Sequence, residues 1–395
     1  MIKVLLVSPS FPFPEYKNGL AKVNYNILSH QNGYKADLLT INDSEFSNIP
    51  NVNTYLVPFV KRFSKKNLLL KWLTSLDPIN VIKYSPYLDE IVKNIEKHHH
   101  LYDIVHVSSP FFASIFLKVS KHVQSKMIIF PIDSVSLNIE RRLPKEKNIL
   151  RKLFLYIELL KYRRFESIYY AQYRNVCFVS NIDETYVLKL NKKINTITIP
   201  NGVDIEYFKK RNYIAEENYS MVFTGDMSYA PNEDAMLFFI KHVYPIISKR
   251  LAVKLYIVGK NPTEKLRKLA SENIIITGFV EDIREYLDKA TIYISPLRFG
   301  SGIKNKILEA MAMSKIVLGT AVSFDGIEVK NFENCILMAE NSFDMADKIL
   351  KVLYNIEGFK YIEKNARKLI ENYYSWDGIT KRYCDHYRKI AKNMD

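Results

Sequence analysis

The sequence predicts two doubly wound α/β domains in tandem, each a parallel sheet clothed in helices. Three observations carry this expectation. At 395 residues the chain exceeds the size at which one core usually stops growing, so two domains near 200 residues each are expected. Short apolar runs of about four to six residues alternate with helical patterns, as buried parallel strands do. The alternation then restarts after the turn cluster Pro200-Asn-Gly-Val-Asp204.

Strands are expected at Lys3–Ser8, Ala36–Ile41, Asp103–Val107, Met127–Ile132, Val176–Ser180 and Thr196–Ile199. Between them the spacing predicts helices near 19–31, 85–99, 110–122, 140–172 and 181–190. The second series has strands at Ser220–Thr224, Val253–Val258, Ile274–Thr277, Ile292–Ser295 and Ile316–Leu318. Its helices are expected near 231–250, 262–271, 283–289, 303–313 and 342–354, with closing helices at 358–373 and 376–393. The predicted boundary divides residues 1–200 from 201–375.

Composition narrows the class. With 48% apolar and 25% charged residues the chain is globular rather than disordered. Three cysteines without CxxC spacing argue against a disulfide framework or a zinc site and for a reducing compartment. The apolar run at Met1–Ser10 is too short for a secretory signal, and no window is apolar enough to span a membrane. The expectation is a cytoplasmic chain whose membrane contact, where it has one, is peripheral at the inner face.

The net charge of +15 is uneven. Residues 1–200 hold 28 Lys and Arg against 16 Asp and Glu; residues 201–395 hold 29 against 26. A basic first half fits an anionic partner for that half, with a solvated lysine-rich surface as the plain alternative.

The stretch Ser295-Pro-Leu-Arg-Phe-Gly-Ser-Gly-Ile-Lys-Asn-Lys-Ile-Leu-Glu-Ala-Met-Ala312 is the richest in chemistry. A strand ends, a loop with Gly300 and Gly302 follows, and a helix begins near Ile303. Glycines admit a ligand close to the backbone, and free amides at a helix start attract an anion. Lys304, expected in the first turn, opposes the helix dipole there, so a phosphate would repay its placement. Glu309 lies in an otherwise apolar run and needs a polar partner; ribose hydroxyls or a structural lysine would both serve.

With Ile199-Pro-Asn-Gly-Val-Asp-Ile-Glu-Tyr-Phe208 and Leu308-Glu-Ala-Met-Ala312, the chain resembles the retaining glycosyltransferases of the GT-B fold, family four. Phe223-Thr-Gly-Asp-Met-Ser-Tyr-Ala-Pro-Asn232 and Gly278-Phe-Val-Glu-Asp282 are similar to the same family. The resemblance implies two Rossmann-like domains facing a central cleft, the first receiving the acceptor and the second the nucleotide-sugar. It also implies that helix 376–395 returns to the first domain.

The resemblance makes Glu309 the ribose-binding glutamate of an E-x7-E motif whose first glutamate is replaced here by Ser301. The family's arginine and lysine after the first second-domain strand are absent, with Asp226 and Asn232 about where they would stand. Lys304, with Arg298, Gly302 and Ile303, would then hold the diphosphate, Gly225 would allow close approach, and Val280 would offer backbone groups to the base. Gly19, in Lys17-Asn-Gly-Leu20, matches the family's first-domain glycine loop.

On the acceptor side, His106 in Asp103-Ile-Val-His-Val-Ser108 matches the first histidine of a His-x-His pair, with Ser108 in place of the second. It is a catalytic candidate against a packed structural histidine. Asp133 and Ser136 could reach an acceptor hydroxyl or could cap a helix. The implied reaction proceeds on one face of the sugar, with the leaving phosphate taking the acceptor's proton. Charge on the diphosphate is then stabilised by Lys304 and helix amides, with no metal or other cofactor.

Two further features invite a function. His98-His-His100 sits on a helix, where adjacent side chains point apart and share one ion poorly, so a solvated helix end is expected. Residues 141–174 hold ten Lys or Arg and three Glu, interleaved with Leu150, Leu153, Phe154, Ile157, Leu160 and Phe165. With Val60-Lys-Arg-Phe-Ser-Lys-Lys66 and Leu68-Leu-Leu-Lys-Trp72 this stretch makes either an anionic-membrane surface or a core-packing face. No stacking platform for nucleic acid is evident.

The expected function is therefore sugar transfer from a nucleotide-sugar to a glycan or lipid-linked acceptor in cell-surface polysaccharide synthesis. A nucleotide-sugar epimerase and a non-catalytic GT-B subunit bound to a partner enzyme are the alternatives.

Overall fold

The computed structural model describes every residue except 14–18, 43–48, 61–62, 212 and 393–395. Lys17, Asn18, Lys61, Arg62 and the last residues of the expected closing helix therefore lie outside the described residues. The chain divides into two compact units, Met1–Asn201 with Trp376–Asp395, and Gly202–Ser375.

The first unit holds seven strands: β1 (Ile2–Ser8), β2 (Tyr34–Ile41), β3 (Thr54–Val57), β4 (Ile104–Val107), β5 (Met127–Ile132), β6 (Val176–Phe178) and β7 (Thr196–Thr198). They form one sheet in the order β3-β2-β1-β4-β5-β6-β7, and every pairing is parallel. Val4–Val7 and Ile104–Val107 are fully buried because helices cover both faces, which is why these runs are apolar apart from His106. One face packs the core of Leu5, Val105, Phe112, Ile129, Phe165 and Tyr170.

The closing helix Trp376–Lys392 packs on β1 and on the helix Gly19–Ser29, within this unit. Its Tyr387 ring meets Tyr34 edge-on at 5.4 Å.

The second unit holds β8 (Glu217–Thr224), β9 (Lys254–Val258), β10 (Ile274–Gly278), β11 (Ala290–Ser295), β12 (Ile316–Thr320) and β13 (Ile336–Met338). Their order is β10-β9-β8-β11-β12-β13, again with all pairings parallel. Met221, Phe223, Ile257, Ile292, Ile294 and Leu318 anchor its core. Arg367 donates to the carbonyls of Ile205, Phe208 and Ala312 at 2.7–2.9 Å, tying the unit's first segment to the end of the helix Asn305–Ala312. Both units are thus doubly wound, as expected.

The differences have local causes. β3 and β13 were not expected: they are edge strands of four and three residues, too short to make an apolar run. The expected helix over 140–172 is two helices, Val135–Arg142 and Ile149–Tyr169. Pro144 has no N–H to continue the first, and Asn148 caps the second by accepting from Arg151 N at 3.0 Å. The expected helix over 110–122 is a 3-10 helix, Pro110–Lys118, followed by one turn at Lys121–Gln124. A helix Lys65–Thr74 occurs where none was expected.

Candidate functional site

In the second sheet the winding reverses between β8 and β11. Doubly wound sheets bind ligands outside the carboxyl ends of the two strands at such a switch point. Tyr293 of β11 braces this point from beneath, its hydroxyl 3.0 Å from Thr224 Oγ1 and accepting from Thr224 N at 3.3 Å.

After β8 the chain passes Gly225 at φ +151° and nests against Gly259, the turn after β9, at φ +138°. A Cβ on Gly259 would lie 1.9 Å from the Gly225 carbonyl oxygen, so the approach admits only glycine. A Cβ on Gly225 would fall 2.8 Å from Asn232 Nδ2 and 3.3 Å from Lys306 Nζ. Asp226 shapes the turn itself, accepting from Ser228 N and Oγ at 2.9 and 2.6 Å. Asn232 holds it from behind, donating to Asp226 O at 2.8 Å.

After β11 a loop with Gly300 and Gly302 at positive φ leads into the helix Asn305–Ala312. Ser323 Oγ and Thr320 Oγ1 pin the loop's start by donating to the carbonyls of Ser295 and Leu297. The helix begins two residues later than expected, so Lys304 is its N-cap rather than a first-turn residue, and the Lys304 side chain makes no capping hydrogen bond. The helix's first amides form an anion-attracting end.

Lys304 folds back along the loop: its Nζ donates to Gly302 O at 2.7 Å and lies 3.5 Å from Asp325 Oδ2. The first-turn cation is Lys306, which sequence reasoning missed. Its Nζ donates to Asn232 Oδ1 at 2.5 Å and sits 4.0 Å from the centroid of the Phe223 ring. Burial pulls Lys306 down to about 7, Lys304 adds to this by repulsion, and Glu309 opposes both. Glu309 lies one turn beyond on the same helix face and is buried. The available signal was the i, i+3 relation of Lys306 and Glu309, overshadowed by Lys304.

The structure thus brings Gly225, Asn232, Lys304, Lys306 and Glu309 around one helix start. Gly302 and Ile303 form the approach to it, and Ser301 and Ile303 are buried. Arg298 does not join them. Its guanidinium grips Asp234 with two hydrogen bonds and stacks 4.6 Å from the Phe238 ring centroid. The expectation that Arg298 contacts phosphate is corrected: it is a strut between the loop and the helix Ala230–Phe238. Val280 follows β10 and is half-buried, beside the exposed Phe279.

In the first unit the expected acceptor residues fare differently. His106 is fully buried, its Nδ1 hydrogen-bonded to the Tyr387 hydroxyl at 2.7 Å, with Phe130 and Tyr383 packed around it. Burial, with repulsion from His386, drives it down to about 3. None of it is open to solvent, and in place of the expected catalytic position the structure shows a histidine packed under the closing helix.

Ser108 is also buried and donates to Asn24 Oδ1, while Asn24 donates to Ser8 Oγ at 3.1 Å. This network laces the ends of β1 and β4, where the first sheet reverses. Ser136 is buried against the Glu166 carboxylate, and Ser134 rather than Ser136 caps the helix Val135–Arg142. Glu166 also accepts from Ser134 Oγ at 3.0 Å, and burial raises it to about 7 against these bonds. Ser136 thus supports the β5 loop through Glu166, in place of the expected position open to an acceptor. Asp133 remains half-exposed on that loop. Gly19 opens the helix Gly19–Ser29, exposed, with nothing within 4 Å of where a Cβ would stand.

Among the described residues no cluster of three His, Cys, Asp or Glu has metal-binding geometry. His99 meets His122 edge-on at 5.3 Å and stands 4.0 Å from Glu96.

Residues 218–355, spanning the site just described, match the family model described as Glycosyl transferases group 1. The chain is 25% identical to the uncharacterized 44.6 kDa protein in the cps region of Klebsiella pneumoniae, over 95% of this chain and 97% of the relative. Among solved structures, sucrose-phosphate synthase of Thermosynechococcus elongatus superposes with a TM-score of 0.71 at 14% identity, covering all of both chains. Anabaena HepE in complex with UDP and glucose superposes at 0.69 with 14% identity, over 98% of this chain and 99% of HepE. A variant of S. aureus TarM in complex with fondaparinux, alpha-GlcNAc-glycerol and UDP superposes at 0.67 with 12% identity, over 98% of this chain and all of TarM.

Proposed function

We propose that this chain, a GT-B protein whose second unit carries a glycosyl transferases group 1 domain, moves a sugar from a nucleoside-diphosphate sugar onto a glycan or lipid-linked acceptor. One observation carries the reading. Lys306 and the start of the helix Asn305–Ala312 meet a glycine turn at the switch point of the second sheet, with Lys304 on the adjoining loop. Positive charge so placed suits a diphosphate, in the ground state and more so as a leaving group.

In this reading Lys306 and the helix amides receive the diphosphate, Lys304 swings from Asp325 to join them, and Glu309 takes the ribose hydroxyls. Asn232 holds Lys306 in position. Transfer with retention needs no protein base on this scheme, which suits a first unit whose histidine candidate is buried. The scheme also needs no metal. The neighbours that hold UDP, glucose and a glycan support the donor and acceptor classes, and the relative from a cps region supports a cell-surface polysaccharide as the product.

Thermal unfolding with UDP, GDP, dTDP, ADP and CMP in turn tests the donor site. A nucleotide at about 100 times its dissociation constant stabilises by roughly 2.7 kcal/mol, a shift of several degrees. The shift should vanish in Lys306→Ala and Glu309→Ala. The anomeric configuration of the product, read by NMR, tests retention; a protein stabilised by none of these nucleotides would refute the proposal.

A further inference from the structure

The helix Ile149–Tyr169 has two apolar faces. Leu155, Leu159, Tyr162 and Phe165 are buried, the first three with Ile139 in a satellite core. On nearly the opposite side Ile149, Leu153, Tyr156 and Leu160 recur at i, i+4, i+7 and i+11 and are 48–82% exposed, with Leu150 beside them at 78%. A helix that is apolar on its solvent face as well as its packed face lacks a partner for that face.

The helix Lys65–Thr74 continues the same surface. It buries only Trp72, while Leu69, Leu70 and Leu73 are 51–66% exposed. Trp72 fastens the two helices together: its Nε1 donates to the buried Glu158 at 2.6 Å, and its ring packs 5.0 Å from Phe154. Lys161 adds a bond to Trp72 O and lies 4.5 Å from the indole centroid. Glu158 further accepts from Ile79 N at 3.1 Å. The leucines are thus held outward on a rigid two-helix platform.

Charge chooses the occupant. The helix Lys65–Thr74 contains no acidic residue, and both glutamates of Ile149–Tyr169, Glu158 and Glu166, are buried. Lys66, Lys71, Lys147, Arg151 and Lys152 are all exposed. Exposed leucines interleaved with cations, and no surface carboxylate on either helix, complement an apolar layer beneath negative headgroups. No helix among the described residues is long and apolar enough to cross a membrane, so the contact lies in the interface plane.

We propose that this platform docks the first unit onto an anionic lipid bilayer, the leucines entering the headgroup boundary and the cations meeting lipid phosphates. It goes beyond the sugar-transfer reading and stands without it. Co-sedimentation with vesicles of phosphatidylcholine, with and without phosphatidylglycerol, tests it at low and high salt. The full chain should pellet with the phosphatidylglycerol vesicles, less so at high salt. Leu69→Ser/Leu73→Ser/Leu150→Ser/Leu153→Ser should reduce partition at least about tenfold, given the strong dependence of interfacial binding on buried apolar area. Its melting temperature should hold, since all four side chains face solvent.

Equal pelleting of the variant, or no pelleting of the wild type, overturns the proposal. So does a wild-type dimer in light scattering that the variant dissolves and vesicles do not compete away. Nucleotide-induced stabilisation, measured separately, keeps failure here distinct from failure of the donor site.

Discussion

If the second unit binds a nucleotide as proposed, Lys306 should make that binding a proton-coupled event. Enclosed between Asn232 and the Phe223 ring and pulled down to about 7, it is half charged at neutral pH before a ligand arrives. A diphosphate beside Nζ favours the ammonium and lifts it back towards its ordinary value. Binding therefore takes up about 0.9 proton at pH 8, about half at pH 7 and about 0.1 at pH 6, from the ratio of charged to neutral lysine.

The sign follows from linkage. Affinity is flat below about pH 7 and falls above it, approaching about tenfold per pH unit. Isothermal titration calorimetry in two buffers of different ionisation enthalpy reads the uptake directly, with whichever nucleotide stabilises the protein. Lys306→Arg keeps the charge at every pH and should bind with no uptake at pH 8. Lys306→Ala should lose most of the affinity. A wild-type protein that binds nucleotide at pH 8 with no proton uptake, or an arginine variant with the same uptake, would refute this reasoning.

Three further outcomes are expected. His106 and His386 are held neutral by burial, at about 3 and about 4, against about 6.5 in the unfolded chain. Their contribution is complete above about pH 6.5 and is lost as the pH falls towards 3, because the unfolded state binds the protons. His106→Gln should therefore flatten the pH dependence of urea stability by up to about 1.4 kcal/mol per pH unit between pH 6 and 4. Gly259→Ala drives a Cβ into the Gly225 carbonyl at a positive φ and should cost more than about 2 kcal/mol, seen as a lower melting temperature with nucleotide stabilisation impaired. Trp72→Ala removes a buried indole and takes one of its donors from the Glu158 carboxylate; about 3–5 kcal/mol should be lost in urea unfolding followed by first-unit probes.

The two parallel sheets were legible because buried strands announce themselves. Val4–Val7, Ile104–Val107 and Ile292–Ser295 are buried on both faces and therefore predominantly apolar, and helices separate them. Edge strands β3 and β13 carry no such demand and left no signal. The site was legible as a segment. The glycine loop and Lys304, Lys306 and Glu309 lie within ten residues, so proximity in sequence stood for proximity in space. Which lysine faces the glycine turn was not legible, since a two-residue shift of the helix start exchanges their roles.

Contacts between distant segments escaped altogether. Arg298 is spoken for by Asp234, sixty-four residues upstream, and His106 by Tyr387, 281 residues downstream. A sequence window holds neither partner. The leucines at 149–160 and 69–73 read equally well as core or as surface, because periodicity reports an apolar face without saying what covers it.

By itself, then, the sequence determined what is local: strand runs, helix periods, the glycine loop with its lysines and glutamate, and the uneven charge. Tertiary structure decided what depends on the winding of the sheets. It set Lys306 against Asn232 and Gly225, buried His106 and Ser136 beneath helices, and left one leucine face packed and the other bare. The physical reason is that burial, which fixes both protonation and access, is a property of neighbours, and most of those neighbours are remote in the chain.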